Sequence, residues 1–378
     1  MKRIAIFLDG TRNDLENNTN VWRLRSLCEP NASNQIAYYS KGVGTTFGEI
    51  ARGGVEGYGI DAEIIAAYTW LAQTFESGDE IFIFGFSRGA YTARSLSGLI
   101  SKCGILQPGA PLSIQQLYAR YRRHGDRTIN DLIQGPPPTE IEERWIVKYC
   151  IPTTIKLVGV WDTVGSLGNP VAAMKKKVVR YFFLDTHLRL NNEFAFHALA
   201  IDEHRKSFEP TLWTRTTDNA LTTAAPPPRP LTHVEQRWFV GAHANVGGGY
   251  PSDILAQPPL EWLMNKASSL GLQFRDTFVA DGQTPIAPIT DSYAKFGWGF
   301  AHLFSPPFYR PIGTEPKKGT LRTTERINET IDGSVFDRWR GNSEYRPSNL
   351  KEWAARTGLD PATLTGARLA RDPSVIVA

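Results

Sequence analysis

A chain of 378 residues, 41% hydrophobic and 21% charged, has an ordinary globular composition, which excludes a wholly disordered protein. Its net charge of +4 is too small to imply a nucleic-acid partner, and no apolar stretch approaches the roughly 18 residues that a membrane span needs. Three widely spaced cysteines, Cys28, Cys103 and Cys150, fit neither a disulfide framework nor a zinc pattern, so synthesis in a reducing cytoplasm is expected.

Arg3 to Leu8 reads as a strand closed by the turn signal Asp9-Gly10-Thr11. Its apolar run is too short for a signal-peptide core, and none is expected. Gln35 to Tyr39 predicts a second strand, followed by the glycine-bearing segment Lys41 to Thr45. Gly53, Gly54, Gly57 and Gly59 read as loop glycines before a helix over 61–75, where Ile64, Tyr68, Leu71 and Phe75 recur at helical spacing. Glu80 to Gly85 has the look of a buried strand, and Ala90, Ala93, Ser97 and Ile100 share one face of a following helix. Thr154 to Trp161 and Arg237 to Ala242 complete the predicted strands. Strands separated by helices predict an α/β fold of the α/β-hydrolase type, a mostly parallel sheet with helices on both faces.

The proline runs at 135–138 and 226–230 are expected to be connectors. From about residue 251 the chain becomes proline-rich and aromatic, as in Ser305 to Pro311, and predicts a cap or appendage rather than more sheet. The expected organisation is a catalytic core over 1–250, with cap-like insertions at about 103–150 and 165–235, and an appendage over 251–378.

Gly85-Phe86-Ser87-Arg88-Gly89 matches G-x-S-x-G between a predicted strand and a predicted helix, the context a nucleophile elbow requires. The tight turn would place Ser87 at a helix N-terminus, where the dipole favours a developing oxyanion. A serine needs a base, and the base an orienting carboxylate. In this fold type they follow in the order Ser, Asp/Glu, His. Asp162 closes one predicted strand and His243 the next, in that order; the other histidines do not end such a strand. The competing reading of Asp162 is a turn cap, and of a lone histidine a structural role. The oxyanion hole is expected to use the backbone N–H of Arg88 and that of Gly10 or Thr11, an ordinary Asp-Gly turn being the alternative. No zinc-binding or P-loop pattern is present, and no metal or cofactor is expected. Met174 to Leu184 joins a basic cluster to an apolar block. It is either a seat on an anionic lipid surface or a helix with one solvated and one buried side.

At these residues the chain resembles the DUF2235 family, which includes the type VI secretion lipase effectors of the Tle1 group. The resemblance is carried by Ile6 to Thr11 with Asn13, Tyr38-Tyr39 with Gly42 to Thr45, Gly85 to Ala90, Gly159 to Val164, Ala198 to Glu203 and Trp238 to Tyr250. It implies an α/β-hydrolase core, a Ser87–Asp162–His243 triad and phospholipase A activity. For an effector it also implies export by a specialised secretion system and a cytosolic immunity or adaptor partner. Two departures stand out: Ala244 and Asn245 replace the family's usual Ser and Asp, and Arg12 replaces an aromatic residue. The sequence thus points to a serine hydrolase acting on an ester, most naturally a phospholipid acyl ester. An esterase or thioesterase on a soluble metabolite, or a non-catalytic module on the same fold, are the competing readings.

Overall fold

The computed structural model describes residues 1–10, 18–29, 34–42, 55–164, 188–216, 228–250, 254–282, 286–291, 306–314 and 324–377. Among them, one sheet runs through β1 (Arg3–Leu8), β2 (Gln35–Ser40), β3 (Glu80–Phe86), β4 (Ile155–Trp161), β5 (Asn192–Ala200), β6 (Val234–Phe239), β7 (Glu329–Ile331), β8 (Ala367–Leu369) and β9 (Ile376–Val377). The spatial order is β9-β8-β7-β6-β5-β4-β3-β1-β2. Every neighbouring pair from β2 to β7 is parallel, and β8 is antiparallel to both β7 and β9. The chain lays β2 on one side of β1 and β3 on the other. That reversal opens a crevice at the carboxyl ends of β1 and β3, where open α/β sheets bind ligands.

The α-helices among the described residues are α1 (Asn20–Leu27), α2 (Val55–Thr74), α3 (Arg88–Cys103), α4 (Ile114–Tyr121), α5 (Ile129–Gln134), α6 (Ile141–Tyr149), α7 (His243–Gly247), α8 (Gln257–Ser269), α9 (Gly333–Gly341) and α10 (Ser348–Thr357). They cover both faces because successive strand residues point to opposite sides. Ile4, Ile6 and Leu8 of β1 join Ile64 and Tyr68 of α2 and Leu96 of α3 in one buried cluster. Ala5 and Phe7 face the other way, into a cluster with Leu24 of α1 and Leu260 and Leu263 of α8. In that cluster Phe7 and Phe84 stack with ring centroids 5.2 Å apart. Burying side chains of this kind contributes about 1.5–3 kcal/mol each. A third cluster, with Trp238, Phe336 and Trp353, holds α9 and α10 against the far end of the sheet. Among the described residues, no helix is long and apolar enough to cross a membrane.

The structure departs from the sequence reading in four places. β5 lies in the middle of the sheet, inside the 165–235 stretch expected to be an insertion. It is alanine-rich, carries His197 and is buried on both faces, so neither β-propensity nor alternation marks it. After residue 250 the chain also continues the sheet: β7 pairs with β6, and α8 packs under β3 and β4. The added strands are two or three residues long, too short to show a period. α2 begins at Val55, so Gly57 and Gly59 lie within a helix and not in a loop. Finally, β6 stops at Phe239, and His243 opens α7 rather than closing a strand. Within 103–150, α4, α5 and α6 pack against α2 and α3, and a two-stranded ribbon of Ile105–Leu106 with Cys150–Ile151 closes the excursion.

Candidate active site

Ser87 sits in the turn between β3 and α3 with φ 57° and ψ −119°, a conformation that L-residues avoid. Glycines make the turn possible. A Cβ on Gly89 would come within 2.1 Å of the Leu8 carbonyl oxygen, and one on Gly85 within 2.4 Å of the Gly89 carbonyl oxygen. β3 therefore drives straight into α3 with β1 pressed beside it, and Ser87 is lifted above the sheet edge. Its N–H donates to the Trp161 carbonyl at 3.1 Å, which ties the elbow to the end of β4.

Asp162 follows Trp161 and has φ 39°. Because Phe86 and Trp161 are paired in register, Ser87 and Asp162 leave the sheet side by side. His243 comes from the β6–α7 connection, which is fastened at several points. Asp202, just past β5, accepts the Gly241 N–H at 2.8 Å, and Glu203 accepts the His243 N–H at 3.2 Å. Asn245 Oδ1 accepts the Ala242 N–H at 3.1 Å and the Thr290 N–H at 3.2 Å. The imidazole packs against Phe86 and Phe208, with ring centroids at 4.7 and 5.0 Å.

Held in this way, His243 Nδ1 is 2.5 Å from Asp162 Oδ2, and His243 Nε2 is 2.8 Å from Ser87 Oγ. Asp162 is fully buried. Burial would raise its carboxyl, but the Arg310 guanidinium and the His243 hydrogen bond outweigh that and hold it well below the usual carboxylate range. An ionised carboxylate only accepts, so Nδ1 carries the ring proton and Nε2 is left to accept from the serine hydroxyl. The arrangement can move a proton off Ser87 and hold it on an oriented imidazolium.

Two charged residues to which the sequence reading assigns no role complete the setting. Arg310 Nη1 donates to Asp162 Oδ1 at 2.7 Å and Nη2 donates to Oδ2 at 3.0 Å. Glu203 has no exposed side-chain surface and forms a two-pronged pair with Arg205 at 2.8 Å on each oxygen. Burial opposes its ionisation, yet Arg205 brings its carboxyl down to about 2. Glu203 falls in a stretch quoted for the family resemblance, and Arg310 in a proline-rich run that gives no helical or strand period.

Arg88, expected to supply an oxyanion-hole N–H, is the first residue of α3. The Gly10 N–H is instead taken up by Asp9 Oδ1 at 2.8 Å, which argues against Gly10 as the second donor. Asp9 is itself buried, with Thr19 and Tyr39 donating to its other oxygen. Thr11 lies outside the described residues, as does the basic-apolar stretch 174–184. His197 is structural: it accepts the Thr163 N–H at 3.1 Å, and burial lowers it to about 3.

A strained serine on a strand-to-helix turn, with a buried carboxylate just past β4 and an imidazole from the connection after β6 of a mostly parallel sheet, defines an α/β-hydrolase-type protein. The chain belongs to the Tle1-like family of type VI secretion phospholipase effectors, whose catalytic-domain model matches residues 2–266. It is 27% identical to an uncharacterized protein of Saccharomyces cerevisiae, YEL023C, over 232 residues, 56% of this chain and 33% of the yeast protein. An uncharacterized protein from Pseudomonas aeruginosa resembles it with a TM-score of 0.40 at 16% identity, over 72% of this chain and 46% of the other. The Tle1 effector bound to the VgrG spike of the type 6 secretion system gives 0.27 at 17%, over 66% and 51%. The chain thus spans about a third of its yeast relative and about half of each solved structure.

Proposed function

We propose that this chain is a serine hydrolase that cleaves phospholipid acyl esters, with Ser87 as nucleophile, His243 as base and Asp162 as the carboxylate that orients it. The observation that carries this reading is the unbroken run of contacts from Ser87 Oγ through His243 to Asp162 above a strained elbow. His243 Nε2 takes the hydroxyl proton as Ser87 Oγ attacks the acyl carbonyl. The tetrahedral oxyanion is held by the Arg88 N–H at the start of α3 and by a second N–H from the loop after β1, for which Thr11 is the remaining candidate. The imidazolium then gives its proton to the departing lysolipid oxygen and leaves an acyl-serine. Water, activated by the same imidazole, attacks that ester and frees the fatty acid.

The phospholipid substrate rests on the family description, which names phospholipase effectors. Export by a type VI secretion system, and a cytosolic immunity or adaptor partner, are proposed on the same ground. A fluorophosphonate probe tests the nucleophile directly. Labelling of the wild type at Ser87, absent in Ser87→Ala and in His243→Ala, is the expected result. A folded wild type that does not label would point to a non-catalytic module on this fold.

A further inference from the structure

Arg310 reaches Asp162 from an unexpected part of the chain. Residues 306–314 form a strap that crosses the carboxyl end of the sheet, beyond the residues matched by the family. One side of the strap is pinned to the segment after β5: Phe308 N–H donates to the His204 carbonyl at 2.9 Å, and the Tyr309 ring lies 4.8 Å from that of His204. The other side is pinned to β7, where Glu329 accepts the Gly313 N–H at 3.0 Å. Between these anchors Arg310 points inward, and neither its side chain nor that of Asp162 has any exposed surface.

The contacts of Asp162 leave its carboxylate no freedom to turn. Oδ1 accepts from the Ala200 N–H at 3.1 Å and from Arg310 Nη1, while Oδ2 accepts from Arg310 Nη2 and His243 Nδ1. The guanidinium is fixed in turn by the carbonyls of Ala200 and Phe208. A planar two-pronged donor sets the plane of the carboxylate it holds, which a point-charge ammonium does not. We propose that Arg310 is a positioning residue for the reaction: it locks the Asp162 carboxylate toward His243, so that the C-terminal strap is part of the active site. This rests on the reading of Ser87, His243 and Asp162 as the reacting groups.

The charge that Arg310 brings is offset nearby. Asp162 and Glu203 are acidic, Arg310 and Arg205 basic, with His243 between them and His197 and Arg94 behind Asp162. Without Arg310, burial would act on the Asp162 carboxyl with only the His243 and Ala200 hydrogen bonds to oppose it, and the carboxyl would rise. The Arg310 side chain has no exposed surface to offer a ligand, so its loss is expected to bear on turnover and not on binding.

The test compares the wild type, Ser87→Ala, Arg310→Gln and Arg310→Lys on a soluble nitrophenyl ester, reading kcat, KM and the pH dependence of kcat. Folding of each variant is checked by circular dichroism. In Arg310→Gln, kcat is expected to fall on the order of 10²-fold at unchanged KM, and the acid limb of the profile to move up. A merely structural arginine would not move that limb. A folded Arg310→Gln with wild-type kcat and acid limb overturns the proposal. If Arg310→Gln does not fold, because it strands a buried charge, Arg310→Lys decides. Its retained charge with lost geometry should keep KM and the acid limb but lower kcat at least about tenfold, and wild-type kcat there overturns the role. A folded wild type without Ser87-dependent turnover instead defeats the hydrolase reading and this proposal with it; a failure confined to the Arg310 variants defeats only the positioning role.

Discussion

Ser87 Oγ and His243 Nε2 lie 2.8 Å apart although 156 residues separate them in the chain. The contact exists because β3 ends in the elbow, while β6 stops early and its connection folds His243 back over Phe86.

The strain at Ser87 predicts a trade between stability and activity. Ser87→Ala and Ser87→Gly should both abolish turnover, by on the order of 10⁴-fold or more. They should differ in stability, because only glycine adopts φ 57° with ψ −119° without cost. Ser87→Gly should unfold at a higher temperature than Ser87→Ala, by about 1–2 kcal/mol in stability. Equal midpoints in a thermal melt would show that the elbow stores no strain.

The Asn245 side-chain oxygen accepts the Ala242 and Thr290 N–H groups. Those bonds hold the His243 loop and need an acceptor, not a charge. Asn245→Asp should therefore keep most of the activity. Asn245→Ala should cost about 1 kcal/mol of stability, with turnover lost at unchanged KM. Steady-state kinetics on the two variants check this, and loss of activity in Asn245→Asp would contradict it.

Gly247 lies under the Phe86 ring, and a Cβ there would sit 1.9 Å from a ring carbon. Phe86 in turn supports the His243 imidazole. Gly247→Ala should displace the ring and lower kcat by on the order of 10²-fold. Phe86→Leu in the same background removes the clashing ring atoms and should restore part of the loss; no restoration would exclude this route.

Acid should destabilise the fold through two buried groups. Glu203 is lowered from 4.5 to about 2, so its contribution of about 3 kcal/mol is complete above pH 4.5 and is lost as pH falls toward 2. His197 is lowered from 6.5 to about 3 by burial, with Arg94 adding to the effect. The unfolded chain takes up that proton near pH 6.5 and the folded chain does not, so stability falls steadily between 6.5 and about 3, by about 5 kcal/mol at most. Urea melts at about pH 7 and about pH 4.5 should show a drop dominated by His197, and His197→Gln should flatten it. A pH-independent midpoint would refute this assignment.

Much of this site was legible in the sequence because its chemistry sits at the ends of strands that announce themselves. Ile81 to Phe86 and Leu157 to Trp161 are runs without a charged or polar side chain, and the residues that follow them, Ser87 and Asp162, stand out as polar groups at a sheet edge. The sequence pattern places His243 at the end of a strand, whereas it lies on a short helix beyond one. What remained hidden was long-range and not periodic. Arg310 comes from a strap without regular structure, and its role is set by pairing with a residue 148 positions away. β7 and β8, of three residues each, are strands only because β6 offers an edge to β7 and β7 in turn offers one to β8. Gly10 reads as an oxyanion donor from its place after β1, but the side chain of Asp9 takes its N–H first.

The most direct test of the central claim is free fatty acid release from mixed phospholipid vesicles by the wild type and by Ser87→Ala, with a short soluble ester as control. Release that disappears in Ser87→Ala is the predicted result. Ser87-dependent cleavage of the soluble ester without release from vesicles would preserve the mechanism and contradict the phospholipid assignment.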